Sequence, residues 1–211
     1  MSDWQALLSA IRLCTAEQKQ EIFAEVRDSI LIHNLERSFH VRAEVILEAI
    51  ARSPDITQRG VRGLIAECVF VMDVLPTVKG WESEPAVPEA SYDACLIKDG
   101  RRVRIQVKMQ RREAGQPMLR RGQHVVEVQR TRTGNKNGES TRPYRFTEFD
   151  LLAVAMQAST GSWHSFMYVP TKNLTPKRDK PEEIETFQSV PEFGDDGVWT
   201  SDLLTALSRV K

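Results

Sequence analysis

The chain has 211 residues, 41% of them hydrophobic, with 29 basic and 29 acidic side chains and no net charge. This length fits one large domain, or one domain with an appendage, with enough apolar material for a packed core, and no stretch approaches the roughly 20 apolar residues of a membrane-spanning helix. Overall neutrality argues against a nucleic-acid partner, but the charge is segregated. Residues 1–97 are net −6, residues 98–145 carry 14 basic and 4 acidic side chains for a net +10, and residues 146–211 are net −4. A local basic surface is what neutralises phosphates, so nucleic acid stays among the partners to consider; a solvated charged loop is the plainer account of the same stretch.

Cys14, Cys68 and Cys95 are scattered and odd in number. They read as reduced core residues of a cytoplasmic protein. The opening Met1-Ser-Asp-Trp-Gln lacks the basic and apolar regions of a secretory signal, so none is expected.

In chain order, Trp4, Leu7, Leu8 and Ile11 have helical spacing over residues 3–12, after Ser2 or Asp3 as cap. Thr15 with Gln18 forms a capping-box pattern. The helix it starts carries Ile22, Phe23, Val26, Ile30 and Leu31 on one face and is expected to reach Leu35 or Glu36. Val41, Val45, Ile46, Ala49 and Ile50 mark another helix over 41–52, broken by Ser53-Pro54-Asp55. Residues 1–57 therefore read as a helical N-terminal region and 58–211 as the main domain.

Residues 58–75 predict a helix ended by Pro76 and apolar nearly all round, hence buried. Glu67 stands out on it, because a buried acid needs a partner or a function; a salt bridge at the helix edge is the alternative. Gly80 to Pro85 suggests a turn and a short strand. Residues 110–122 read as a loop or short helix, His124–Arg130 as a strand, and Thr133–Thr141 as a polar, Gly-rich loop expected to be mobile. Asp150–Met156 and Ser165–Val169 predict a strand hairpin, although 148–157 also fits a helix. Residues 172–197 read mostly as loop, and Thr200–Val210 as a helix capped by Thr200 or Ser201.

The most informative stretch is Tyr92 to Met109. Asp99-Gly100 between two β-branched runs is a strong signal for a two-residue hairpin turn. That turn sets Lys98 opposite Arg101 and Asp93 opposite Gln106. Arg104, Gln106 and Lys108 then share one face, while Val103, Ile105, Val107 and Met109 point the other way. An acid, an amide and a lysine converge; a cross-strand salt bridge on a solvated face is the bland alternative.

Asp93, then twelve residues, then Gln106-Val107-Lys108, preceded by the helix Arg59–Glu67, resembles the PD-(D/E)xK nuclease superfamily. Tyr92-Asp93 and Ile105-Gln106-Val107-Lys108 are similar to forms in its Holliday-junction resolvases and homing endonucleases. More loosely, Glu127–Arg132 and Arg142–Val154 look like the downstream half of bacterial restriction-endonuclease-like proteins. The resemblance implies an α/β fold: a restriction-endonuclease-like mixed central sheet flanked by helices. It also implies one or two Mg²⁺ ions, which Mn²⁺ could replace. Asp93 would be the central metal ligand, Glu67 a second carboxylate, and Gln106 and the Val107 carbonyl neutral ligands. Lys108 would orient or deprotonate the attacking water, or neutralise transition-state charge. The sequence departs from the pattern at Gln106, where the family places an acid; an amide brings one neutral ligand where a carboxylate brings charge.

Other chemistries are poorly supported. His33, His40, His124 and His164 lack zinc-ligand spacing, and phosphate-loop and Ser or Cys nucleophile motifs are absent. Arg101, Arg102, Arg111, Arg112, Arg120, Arg121, Arg130, Arg132 and Lys136 are the candidate DNA contacts. Most would touch phosphates, and an arginine of 120–145 is a candidate for reading guanine. The expected function is a Mg²⁺-dependent DNA endonuclease of the type II-like restriction kind, acting on double-stranded DNA as a homodimer or higher homo-oligomer. A homing or Holliday-junction/repair nuclease and a catalytically silent DNA-binding module remain alternatives.

Overall fold

A computed structural model describes residues 3–27, 29–30, 33–84, 87, 90–130, 135–136 and 139–210, with 135–136 and 139–140 described by backbone alone. The chain divides into two compact units, Met1–Gln58 and Arg59–Lys211.

The first unit holds α1 (Asp3–Leu13), α2 (Ala16–Arg27), α3 (Asn34–Phe39), α4 (Ala43–Ala51) and the start of α5 (Asp55–Val69). The capping box at Thr15 forms as expected. Gln18 N–H donates to the Thr15 hydroxyl at 3.3 Å, and Thr15 N–H donates to Gln18 Oε1 at 2.9 Å. The helix it starts does not run to Leu35 or Glu36. It stops at Arg27, whose buried guanidinium donates to the Ile30 carbonyl at 2.8 Å, to Glu44 at 2.9 Å and to Glu36. A buried ion-pair centre, rather than the apolar stripe, therefore sets this corner; Leu31 of that stripe lies outside the described residues. His33 starts α3, accepting the Leu35 N–H at 3.1 Å.

In the second unit α5 leads into a π-helical turn (Phe70–Val74) and a 3₁₀ turn (Leu75–Thr77). Pro76 has no N–H to continue the α ladder, and Leu75 N–H reaches back five residues to the Phe70 carbonyl. The wider turn lets Phe70 and Leu75 both face the core. The expected all-round burial of this helix does not hold: Ala66 and Phe70 are fully buried, but Leu64 is 61% and Met72 72% exposed. Its apolar residues outnumber those the sheet can cover.

The strands are β1 (Glu82–Glu84), β2 (Ala94–Lys98), β3 (Arg101–Met109), β4 (Arg112–Glu113), β5 (Gln116–Pro117), β6 (Leu119–Arg120), β7 (Gln123–Glu127), β8 (Asn135–Lys136), β9 (Glu139–Ser140), β10 (Leu151–Ala155), β11 (Phe166–Pro170) and β12 (Phe187–Val190). Helix α6 (Gln157–Thr160) joins β10 to β11, and α7 (Leu203–Arg209) ends the unit. The central sheet has the order β1-β2-β3-β10-β11, with β3 parallel to β10 and the other neighbours antiparallel. It is a mixed sheet in an α/β unit, as the sequence predicts. The strand reading of 150–156 holds over the helical one, because β10 is buried from end to end.

The Asp99-Gly100 register is the expected one, with Lys98 opposite Arg101 and Ala94 opposite Ile105. Asp99 and Gly100 have φ of 51° and 78°, the paired left-handed residues of a twist-compatible two-residue turn. Two more such turns, Ala114-Gly115 and Arg121-Gly122, fold residues 110–122 into short hairpins instead of the expected loop or helix. Alanine and arginine are weak signals for such a turn, so the sequence conceals them. Thr133–Gly134 and Asn137–Gly138 of the polar loop lie outside the described residues.

One face of the sheet packs on α5, the π turn and α7 through Val103, Ile105, Val107, Leu151, Ala153, Phe166, Ala206 and Leu207. The other face is covered by the β12-β7-β6 sheet and its loops through Val126, Val128, Leu152, Val154, Met167 and Ile184. β12 falls inside the stretch expected to be loop. The cap of α7 is Asp202, which accepts the Thr205 N–H at 2.6 Å, rather than Thr200 or Ser201. Of the cysteines only Cys95 is buried; Cys68 is exposed and Cys14 half-buried, and all three are free. No helix among the described residues is long and apolar enough to cross a membrane.

Candidate active site

The site forms where β2 begins and β3, beyond Ile105, continues beside β10 alone. Asp93 lies just outside the paired register, which ends at Ala94 opposite Ile105, and its N–H donates to that same Ile105 carbonyl at 2.9 Å. Its carboxylate accepts the Val107 N–H at 2.7 Å and the Gln106 side-chain amide. Gln106 is 2% exposed, so the polar face of β3 is interior at this position, although Arg102 and Arg104 nearer the turn reach solvent. Gln106 lies beside Leu152 and Lys108 beside Val154 on β10.

Lys108 is partly covered as a residue, yet desolvation dominates at its ammonium and pushes its pKa down against the pull of Asp93 and Glu67. Burial raises the Asp93 carboxyl, opposed by Lys108, the Val107 N–H and Gln106. Burial also raises Glu67, and the Asp93 charge raises it further. These mutual effects place Glu67, Asp93 and Lys108 in one electrostatic cluster. Two acids that resist ionising together, beside a desolvated lysine, mark a place where an added cation is stabilising.

The amide of Gln106 indicates where such a cation fits. Its nitrogen donates both to the Asp93 carboxylate and, at 3.2 Å, to the Val107 carbonyl. Two oxygens, one of them charged, converge on a single positive dipole end. A hard cation suits the same oxygens, with the amide turned to offer Oε1. The oxygens of Asp93, the Val107 carbonyl and Gln106 suit a hard cation better than a softer metal, and Glu67 is tied to them by charge coupling. Among the described residues no three His, Cys, Asp or Glu side chains gather as a metal cluster, so the neutral oxygens are indispensable to that fit.

The arginines divide. Arg101 lies on the helix-facing side, donating to the Leu207 carbonyl at 2.9 Å and to Val210, and lying 5.8 Å from the Trp81 ring centre. Arg102 pairs with Glu84, and Arg111 with Glu127 at 3.1 Å. Arg112 donates to the Gly115 carbonyl at 2.8 Å, and Arg120 stacks 3.6 Å over Phe187. Arg121 is exposed in its turn. Arg130 donates to the Thr141 and Pro143 carbonyls at 2.7 and 2.9 Å and pairs with Glu148. Arg132 and the side chain of Lys136 lie outside the described residues. The basic tract is thus largely tied into the fold, and Arg101 in particular is anchored away from the Gln106 face.

Sequence reasoning missed Tyr144. It is 5% exposed, packs edge-on against Phe149 at 5.4 Å, and places its hydroxyl 3.5 Å from Lys108 Nζ. The one signal in the sequence is an aromatic residue between Arg142 and Arg145, without periodicity to single it out.

No protein-family model and no curated protein matches the chain. Among solved structures, that of a bacterial homing endonuclease, I-Ssp6803I, is similar over 65% of this chain and 80% of that one, at 21% identity and a TM-score of 0.41. A likeness that distant leaves the site to be read from its own geometry.

Proposed function

We propose that the protein is a Mg²⁺-dependent endonuclease that hydrolyses DNA phosphodiester bonds, most simply as a type II-like restriction enzyme acting as a homodimer. The observation that carries the reading is that Asp93 and the Val107 carbonyl converge on the Gln106 amide, with the charges of Glu67 and a desolvated Lys108 coupled to Asp93. Asp93 and Glu67, with the carbonyl of Val107 and the oxygen of Gln106, would hold the ion. When bound, Mg²⁺ supplies Lewis-acid stabilisation of charge on the phosphoryl and leaving oxygens. Lys108 either neutralises that charge or, unprotonated, takes a proton from the attacking water. Its desolvation favours the neutral form, while Asp93 and Glu67 favour the charged one. Gln106 contributes no charge, which leaves Asp93 and Glu67 as the acids of the site.

The test is to incubate the protein with unmethylated plasmid DNA and Mg²⁺ beside Asp93→Asn and Lys108→Ala. Discrete fragments from the parent alone support the restriction reading. Cutting of branched DNA alone points to a junction nuclease, and metal-independent binding without cutting to a silent DNA-binding module. Undiminished cutting by Asp93→Asn overturns the site.

A further inference from the structure

We infer that Tyr144 is the positioning residue of this site, its phenol oxygen holding the ammonium of Lys108 in place. The inference deepens the proposed function and rests on it for its kinetic consequence.

Lys108 projects from β3 into the layer between the two sheets. Among the described residues its hydrogen-bond partner is the Tyr144 hydroxyl, 3.5 Å away. The ammonium lies 5.3 Å from the ring centre, so it is nearer the oxygen than the ring. That is a long bond, of the kind that tightens once substrate is bound. In its ammonium form, which Asp93 and Glu67 favour, the lysine has three donors and no acceptor. The phenol must therefore accept from it, and its own hydrogen is left to donate to a bound anion. Burial and the neighbouring Asp93 charge both hold the phenol protonated, so that hydrogen is present at neutral pH.

Tyr144 is itself fixed from behind. The Arg130 guanidinium lies 4.6 Å from its ring centre. Arg130 in turn is held by the Thr141 and Pro143 carbonyls and by Glu148. Phe149 packs edge-on against the same ring. A flexible four-carbon side chain would otherwise lose much of its precision in orientation entropy; a phenol clamped by a guanidinium and a second ring supplies a fixed acceptor. This also explains why Arg130 is spent inside the fold instead of on a phosphate.

The decisive variant is Tyr144→Phe, which keeps the ring, the Phe149 contact and the Arg130 stack and removes one oxygen. Two measurements are made on it. The first is plasmid cleavage at varied DNA concentration. The expected result is a kcat lowered about ten- to a hundredfold, the size of a lost hydrogen bond to a charged group, with KM unchanged. The second is the ¹H–¹⁵N spectrum of the lysine ammonium groups in the absence of DNA and metal, with Lys108 assigned by its loss in Lys108→Ala. The Lys108 resonance should move or broaden in Tyr144→Phe while other lysines stay put. An unmoved resonance overturns the inference, as does a kcat that falls only in proportion to lost folded protein. If the parent itself does not cut DNA, the proposed function fails, and the resonance still decides whether Tyr144 holds Lys108.

Discussion

At the middle of β3 the two faces are almost equally buried and do opposite jobs. Ile105 is 0% exposed and Gln106 2%. On one side Val103, Ile105 and Val107 enter the helix-covered core, where area alone matters and nothing needs orienting. On the other, each residue is tied to a particular polar partner: Arg104 to Asp150, Gln106 to Asp93, Lys108 to Tyr144. Burial is therefore not what separates Ile105 from Gln106. The separation lies in whether a side chain's removal leaves a hole or an unpaired polar group.

That contrast is sharpest in the response to substitution. On the polar face, Lys108→Ala and Asp93→Asn should each lower DNA cleavage about a hundred- to ten-thousandfold, with the folding transition largely retained. Cleavage rates beside a denaturant titration check both halves. On the apolar face, Ile105→Ala should cost about 2–5 kcal/mol of stability, read from the denaturant midpoint. Its folded fraction should keep normal cleavage; a tenfold loss of activity per folded molecule would break the division between the faces.

Arg104→Ala should cost less, about 1 kcal/mol, because both partners of the Arg104–Asp150 pair reach solvent, with side-chain exposures of 35% and 26%. Burial pushes the Asp150 carboxyl up, but the Arg104 side-chain and backbone bonds outweigh it and hold the pKa below the usual aspartate range. The stabilisation is therefore present above the unfolded aspartate value of about 3.9 and is lost as pH falls through the lower folded value. The gap in melting temperature between parent and Arg104→Ala should accordingly close in acid.

The smallest effect separates the two ways of filling position 106. Gln106→Glu adds a carboxylate beside two acids already held above their usual range by burial. In EDTA its melting temperature should fall by a few degrees, about what 1 kcal/mol produces. The rise on adding Mg²⁺ should exceed that of the parent. Equal Mg²⁺ responses would show that position 106 does not face the ion.

Much of this was legible in the sequence where the determinants are local. Asp-Gly between β-branched runs dictates the turn, and the turn dictates the register as far as Ala94 opposite Ile105; beyond it Asp93 leaves the pairing and reaches Gln106 through its side chain. Thr15 and Gln18 similarly specify a helix start within four residues. Tertiary structure alone decided the rest. Which faces of β3 were covered depended on β7 and β12, whose pairing joins Glu127 to Phe187 across sixty residues. That cover turned a solvated salt-bridge face into a desolvated site. It also brought in Tyr144 beside Lys108 and tied Arg130 into contacts within the fold. Periodicity reports the environment along one element; a site assembled from a helix, a hairpin and a distant loop exists only once burial has set the strength of its charges.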